Sequence, residues 1–410
     1  MKRIGWSVAL IVALWTIGAA VRSSRADQAP GTDRGVAPAT EGVAPVVPVE
    51  APSARGLEAD EIDAVHRAAS GLPRLRSLLV SLRGELLFEQ YYNGVNRDQH
   101  ANIKSASKSI ISSLVGIAID RGLIPDAQTP IVTYFPELAG DPDTRKTEIT
   151  VEHLLTMRPG LEGTSNRNYG AWVMSRNWVQ HALARPMFAA PGEEMEYSTG
   201  STHLLSAILT KAAAKTTREF ANDVLAKPLG FSLPQWPRDP QGIYFGGNDM
   251  LMTPRQMLAF GELYRNQGRA ADQQVVSRQW VERSCEGRAR NRRPGNPGAD
   301  PGGYVDPLRD RGYGYGWWVH QIGDYQTCFA WGYGGQYIFV LPELDLVLVA
   351  TSASDVSGER RDHRRMLFDI LEQLVVAPMV SAPRLITRNA TQALAVNEWP
   401  VGGVKTGPEE

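Results

Sequence analysis

Three things are scarce in this chain, and each scarcity removes a class of function. Cysteine occurs only twice in 410 residues, at Cys285 and Cys328. No C-x-x-C pair exists and no cysteine–histidine cluster has ligand spacing, so the sequence carries no signature of a structural zinc site. The two cysteines fit one disulfide if the protein is exported, and fit two buried thiols equally well. Excess charge is scarce too: 43 basic residues face 44 acidic ones, a formal net charge of −1. That balance offers nothing to hold nucleic acid or an anionic membrane surface. Lysine is the third scarcity, with eight in the whole chain, so each can be inspected in turn. Apolar runs long enough to cross a bilayer are confined to the N-terminus.

That N-terminus reads as an export signal. Lys2 and Arg3 precede an apolar run from residue 4 to about 20, and Ser24-Arg25-Ala26 places small residues where a signal peptidase needs them. The competing reading is an uncleaved anchor, and no cysteine lies near the run to take a lipid. Residues 1–26 are therefore expected to be a signal peptide. The protein would be periplasmic or secreted, with no stable membrane span after cleavage. Residues 27–55, rich in Ala, Pro, Gly and Val, read as a disordered linker. A folded domain is expected over 56–386 and a polar tail over 387–410.

Within the domain, helical spacing appears at 59–70, 106–120, 151–157, 202–214, 253–267, 277–284 and 366–375. Strand-like runs at 77–82 and 85–91 flank Arg83-Gly84, a hairpin signal. Further strands are expected at 314–322, 325–331, 337–341 and 346–351, after a surface loop at 287–312. The order is strands, a block of helices, strands, and a closing helix. It predicts an α+β fold: an antiparallel sheet formed from both chain ends, flanked by helices, with a mainly helical inserted subdomain.

The chemistry is concentrated in Ser105-Ala106-Ser107-Lys108. At a helix start, residues three apart share a face, so the Ser105 hydroxyl and Lys108 amine can meet. A serine hydroxyl needs a base to become a nucleophile. A lysine can be that base only if burial or a nearby cation lowers its pKa, and Ile110-Ile111 and Leu114-Val115 supply a dry setting. Of the eight lysines, only Lys108 has a serine three positions before it. The bland reading is a helix-capping serine beside an exposed lysine. A second segment, Pro191-Gly192 through Tyr197-Ser198-Thr199, brings a tyrosine that can relay a proton or merely pack. A third, Trp331-Gly332-Tyr333-Gly334-Gly335, enters a strand. There a backbone N–H can join that of Ser105 in an oxyanion hole, or the glycines can simply make a turn.

In this order the three segments resemble the serine β-lactamase and penicillin-binding protein superfamily. The likeness is greatest to its class C-like branch of esterases, D-aminopeptidases and 6-aminohexanoate-dimer hydrolases. The flanking text Ile149-Thr150-Val151-Glu152-His153 and Leu251-Met252-Thr253-Pro254-Arg255 resembles the family as well, and the likeness spans about residues 57–380. It implies a β-lactamase/transpeptidase-like fold and a serine hydrolase with catalytic Ser105, Lys108 and Tyr197. Gly332, Tyr333 and Gly334 would form the oxyanion and substrate strand, while Trp331 and Thr199 would contact substrate. Apart from the resemblance, the aromatics of Tyr169–Trp178, Trp172 among them, and of Tyr313–Trp318 either line a pocket against the substrate or pack in loops and core. It implies no metal and no organic cofactor; the partner is a small-molecule ester or amide, and the oligomeric state stays open.

Two departures bear on substrate. Thr199 stands where the family has Asn in Tyr-x-Asn. Trp331-Gly332-Tyr333 stands where it has Lys-Thr-Gly or His-x-Gly, so no cation occupies that strand position. The expectation is a carboxylesterase or small-amide hydrolase. A β-lactamase or D,D-peptidase is the alternative, and a non-catalytic cell-wall or β-lactam binder is a further one. A literal Lys405-Thr406-Gly407 lies in the polar tail and is discounted. His153 is read as structural; His203, six residues past Tyr197, can face the site but is read as core or surface, and no His/Asp pair is expected to compete with Lys108.

Overall fold

The computed structural model describes residues 54–290, 311–354 and 360–381. The expected signal peptide, most of the linker, the bulk of the 287–312 loop and the tail with Lys405 lie outside these residues. Among the described residues one sheet dominates. Its strands are β1 (Leu75–Leu82), β2 (Glu85–Tyr91), β3 (Ala289–Arg290), β4 (Gly312–Tyr313), β5 (Trp318–Ile322), β6 (Tyr325–Gly332), β7 (Gln336–Leu341) and β8 (Leu346–Ser352). They lie side by side in the order β2-β1-β8-β7-β6-β5-β4-β3. Every neighbouring pair is antiparallel.

Local sequence explains the turns and the layers. Arg83 and Gly84 both have positive φ (53° and 84°), the backbone that matches a two-residue turn to strand twist. The central strands are apolar on both faces because both faces are covered. Ile338, Val340, Val347 and Val349 point to one core, and Tyr337, Phe339, Leu346 and Leu348 to the other. The first core is filled by α2 (Ser107–Asp120), α3 (Thr199–Ala213) and α4 (Pro254–Arg265). The second is covered by α1 (Ala59–Ser70) and the helical stretch opened by α5 (Arg360–Asp369). The α+β architecture expected from the sequence is the one observed.

Several boundaries moved for identifiable reasons. Packing starts before residue 56: Ala54 is buried, and Arg55 bonds the Met379 carbonyl at 2.9 Å. Helix α3 begins at Thr199 rather than 202. Hydroxyls from a distant loop cap it, with Thr199 N–H donating to Ser165 Oγ (2.9 Å) and Gly200 N–H to Thr164 Oγ1 (2.7 Å). The strand expected from 314 begins at Trp318, because Gly314 N–H closes a turn on the Trp317 carbonyl (2.9 Å). Both described ends of the 287–312 segment pair as strands, so that segment is not surface loop throughout. Cys285 and Cys328 are joined in a disulfide between the end of helix Arg278–Ser284 and β6, with Cα atoms 5.3 Å apart.

Candidate active site

Ser105 sits in a single 3₁₀ turn, Lys104–Ala106, that leads into α2. The turn is tied down before it begins. Ala101 and Asn102 pair with Met252 and Leu251, and Ile103 N–H donates to the Met250 carbonyl (3.0 Å). Lys104 and Asp249 both adopt left-handed backbone, with φ of 50° and 59°. Few non-glycine residues do so, and here an ion pair spans the two: Lys104 Nζ lies 2.8 Å from Asp249 Oδ1. Asn102 Nδ2 donates to the same oxygen at 2.8 Å. The strained turn is thus held from both sides with the Ser105 side chain half-exposed.

Lys108 lies one helical turn on and is 1% exposed. Its Nζ is 3.2 Å from Ser105 Oγ, 3.3 Å from Thr199 Oγ1 and 2.6 Å from the Gly247 carbonyl oxygen. Burial removes the water that would stabilise an ammonium and pulls its pKa from 10.5 to about 7, although the Asp249 charge pushes the other way. At neutral pH a large fraction of Lys108 is therefore a free amine.

The Tyr197 ring lies 5.0 Å from Lys108 Nζ, on the same side of the turn as Ser105. Burial drives its pKa up to about 12, against the pull of the Ser105 hydrogen bond and the Arg311 charge. Tyr197 is accordingly a neutral phenol at physiological pH, suited to passing a proton rather than taking one. Its ring stacks on Trp318 (5.5 Å) and meets Tyr313 edge-on (6.2 Å).

The end of β6 closes the other side. Gly332 approaches the Ser105 turn so closely that a Cβ would lie 2.1 Å from the Ile103 carbonyl oxygen. The chain then turns through exposed Tyr333 and through Gly334, whose φ is 91°. Trp331 is half-buried on the face of Trp318 and Tyr337. The strand lacks a cation in sequence but not in space. The Arg311 guanidinium lies 4.7 Å from the Trp331 ring and 4.2 Å from the Trp318 ring.

Not every expected residue reaches the cleft. Trp172 does not: it is fully buried, donates Nε1–H to the Trp178 carbonyl (2.9 Å), and packs with Trp178, His203 and Phe245. Tyr169, one helical turn earlier, bonds the Asn248 amide next to Gly247 instead. Tyr313, Tyr315 and Trp317 are core residues. A His/Asp pair does exist, but as part of the core: His203 Nε2 and Asp239 Oδ2 are 3.0 Å apart, both wholly buried, with His203 packed among Trp172, Trp178 and Phe245. His153 accepts the Thr150 N–H at its helix start (3.1 Å). The residues sequence reasoning missed are Ser165, Asp249 and Arg311. Each reaches the site through long-range folding, and only the Gly246-Gly247 pair hinted that this loop approaches another backbone.

With this geometry in view, the chain matches the Beta-lactamase family over residues 76–372 and belongs to it. It is 25% identical over 288 residues to a 6-aminohexanoate-dimer hydrolase of Paenarthrobacter ureafaciens, covering 66% of this chain and 71% of that one. A shorter match, 25% over 138 residues, is to the D-alanyl-D-alanine-carboxypeptidase/endopeptidase AmpH of Escherichia coli, covering 32% of this chain and 36% of that one. Among solved structures it resembles EstCE1, a hydrolase with promiscuous acyltransferase activity, with TM-score 0.60 and 16% identity over 77% of this chain and 98% of that one. It likewise resembles an octameric penicillin-binding protein homologue from Pyrococcus abyssi, with TM-score 0.58 and 17% identity over 78% of each chain. The fold is that of the β-lactamase/transpeptidase superfamily.

Proposed function

We propose that the protein is a serine hydrolase that cleaves an ester or small amide through an acyl-enzyme on Ser105. The observation that carries this is a buried amine, poised near pH 7, at 3.2 Å from a half-exposed serine hydroxyl. In the proposed reaction Lys108 takes the Ser105 proton as Ser105 Oγ bonds the substrate carbonyl carbon. The N–H groups of Ser105 and Tyr333 hold the oxyanion. As the tetrahedral species collapses, the bond to the leaving group breaks and Tyr197 hands that group the proton drawn through Lys108. Water then gives a proton to Lys108 as its oxygen bonds the acyl carbon; the Oγ–acyl bond breaks, the carboxylic acid leaves, and the proton returns to Ser105 Oγ. Relatives named as a dimer hydrolase and a hydrolase with promiscuous acyltransferase activity support hydrolysis by way of acyl transfer. Export to the periplasm or beyond belongs to the same reading.

Labelling with a fluorophosphonate probe tests it: wild type should label and Ser105→Ala should not, while equal labelling of both sinks the assignment. Sustained turnover of p-nitrophenyl esters would also exclude a binder that stops after one equivalent of product. A second reading, β-lactamase or D,D-peptidase, is favoured by one observation, the Arg311 guanidinium stacked on Trp331. Hydrolysis of a chromogenic cephalosporin faster than of any ester would select it.

A further inference from the structure

Ser165 belongs to no motif, yet it completes the hydrogen bonding around the base. A neutral primary amine has two N–H donors and one lone pair. The Gly247 carbonyl can only accept, so at 2.6 Å it fixes one N–H of Lys108. Two neighbours remain, Ser105 Oγ at 3.2 Å and Thr199 Oγ1 at 3.3 Å, and both are hydroxyls able to donate or accept. If Thr199 donated to Lys108, it would occupy the lone pair that must take the Ser105 proton.

Ser165 decides between these arrangements. Its Oγ accepts the Thr199 backbone N–H at 2.9 Å, which anchors it as an acceptor, and it lies 2.9 Å from Thr199 Oγ1. A Thr199 hydroxyl donating to Ser165 turns its own lone pairs toward Lys108 and receives the second N–H. The amine lone pair is then left for Ser105. Ser165 is half-exposed, so its own hydroxyl proton is free to turn toward solvent. The same orientation serves the ammonium formed after proton transfer, because Gly247 O, Thr199 Oγ1 and Ser105 Oγ then accept its three N–H groups. No hydroxyl has to turn between the two states, which keeps reorganisation out of the reaction.

We infer that Ser165 is a positioning residue that, through Thr199, aims the Lys108 lone pair at Ser105. It rests on the reading of Lys108 as the base. The Thr199 hydroxyl can donate or accept, and that ambiguity is what makes a second hydroxyl necessary. The charged and titratable groups facing Lys108 are Asp249, with its partner Lys104, and Tyr197; none changes when Ser165 is altered.

The experiment compares wild type with Ser165→Ala, Ser165→Cys and Ser165→Thr. The pH profile of kcat/KM is measured with a p-nitrophenyl ester, and Lys108 is titrated directly by NMR of isotopically labelled lysine, its signal assigned by loss in Lys108→Met. Without Ser165 as acceptor, the Thr199 hydroxyl swings to donate to the lone pair and stabilises the neutral amine. Ser165→Ala should therefore lower the Lys108 titration by at least half a pH unit, and the plateau of kcat/KM by roughly tenfold with KM unchanged. Ser165→Cys, which keeps volume but offers a weak acceptor, should do the same if the alanine form folds poorly. Ser165→Thr should restore both. An unmoved Lys108 titration in the alanine and cysteine variants would overturn the proposal, whatever their rates, and leave Ser165 as a helix cap. Because NMR needs no turnover, this outcome is separate from failure of the acyl-enzyme reading, which would instead appear as absent Ser105 labelling in wild type.

Discussion

Replacing Lys108 with methionine should change how stability depends on pH in a way that only a buried amine can produce. Lys108 is 1% exposed, so solvent screening does little to soften the cost of its charge. Its pKa falls from 10.5 in the unfolded chain to about 7 in the fold. The sign follows from proton counting. Between these values the unfolded chain binds more protons, so wild-type stability rises with pH across the window. Below about pH 7 both states are protonated and the full penalty applies; above 10.5 it is gone. At 1.36 kcal/mol per unit, the relief from pH 7 to 10 is roughly 4 kcal/mol. Lys108→Met also loses hydrogen bonds to Gly247 and Thr199, but that cost is nearly constant with pH and drops out of the slope. Urea unfolding of both proteins at pH 7, 8, 9 and 10 measures the difference. Wild type should gain on the variant by about 1.4 kcal/mol per pH unit. A flat difference would mean that Lys108 titrates normally, and an ammonium fully formed at pH 7 cannot serve as the base.

Other expectations concern the residues around it. Asp249→Asn keeps a side chain that tolerates positive φ but removes the charge that raises the Lys108 pKa; the acid limb of kcat/KM should move to lower pH, and an upward shift would contradict this. Gly332→Ala puts a methyl 2.1 Å from the Ile103 carbonyl oxygen, so turnover should fall more than tenfold and unfolding free energy by about 1–3 kcal/mol; wild-type kinetics would show that the strand end yields freely. Trp172→Phe should cost about 1–3 kcal/mol in urea unfolding while KM for short esters stays put, whereas a changed KM at unchanged stability would return Trp172 to the cleft.

The sequence reveals local regularities well and three-dimensional meetings poorly. Residues 59–70 form a helix as their spacing demanded, and the Arg83-Gly84 turn joins the strands that flank it. Ser105 and Lys108 were legible because one helical turn separates them, a distance set by backbone geometry alone. Ser165 was not, because its bond to Thr199 spans 34 residues and depends on a loop folding back over a helix start. Arg311 was hidden for a related reason: a cation is easy to see on a strand, and invisible when it arrives from another segment to lie on a tryptophan. Trp172 erred in the opposite direction. An aromatic beside a cleft and an aromatic beneath it have the same sequence signature, and only burial separates them.

The sheet that joins both ends of the domain also fixes a timetable for folding. The Leu75–Tyr91 hairpin can form early, but β1 gains its second partner only when β8 is available, and the Ser77–Thr351 bond closes a separation of 274 residues. Until then Leu78, Leu79 and Val80, all fully buried in the native state, belong to an uncovered edge. Such long-range closure makes folding slow and leaves an interval in which the apolar strand can pair with another chain. The Ser105 turn shares that dependence, since Gly332, which presses against it, lies on the C-terminal half of the sheet. Covering of β1 and completion of the Ser105 turn therefore both wait on the C-terminal half of the sheet.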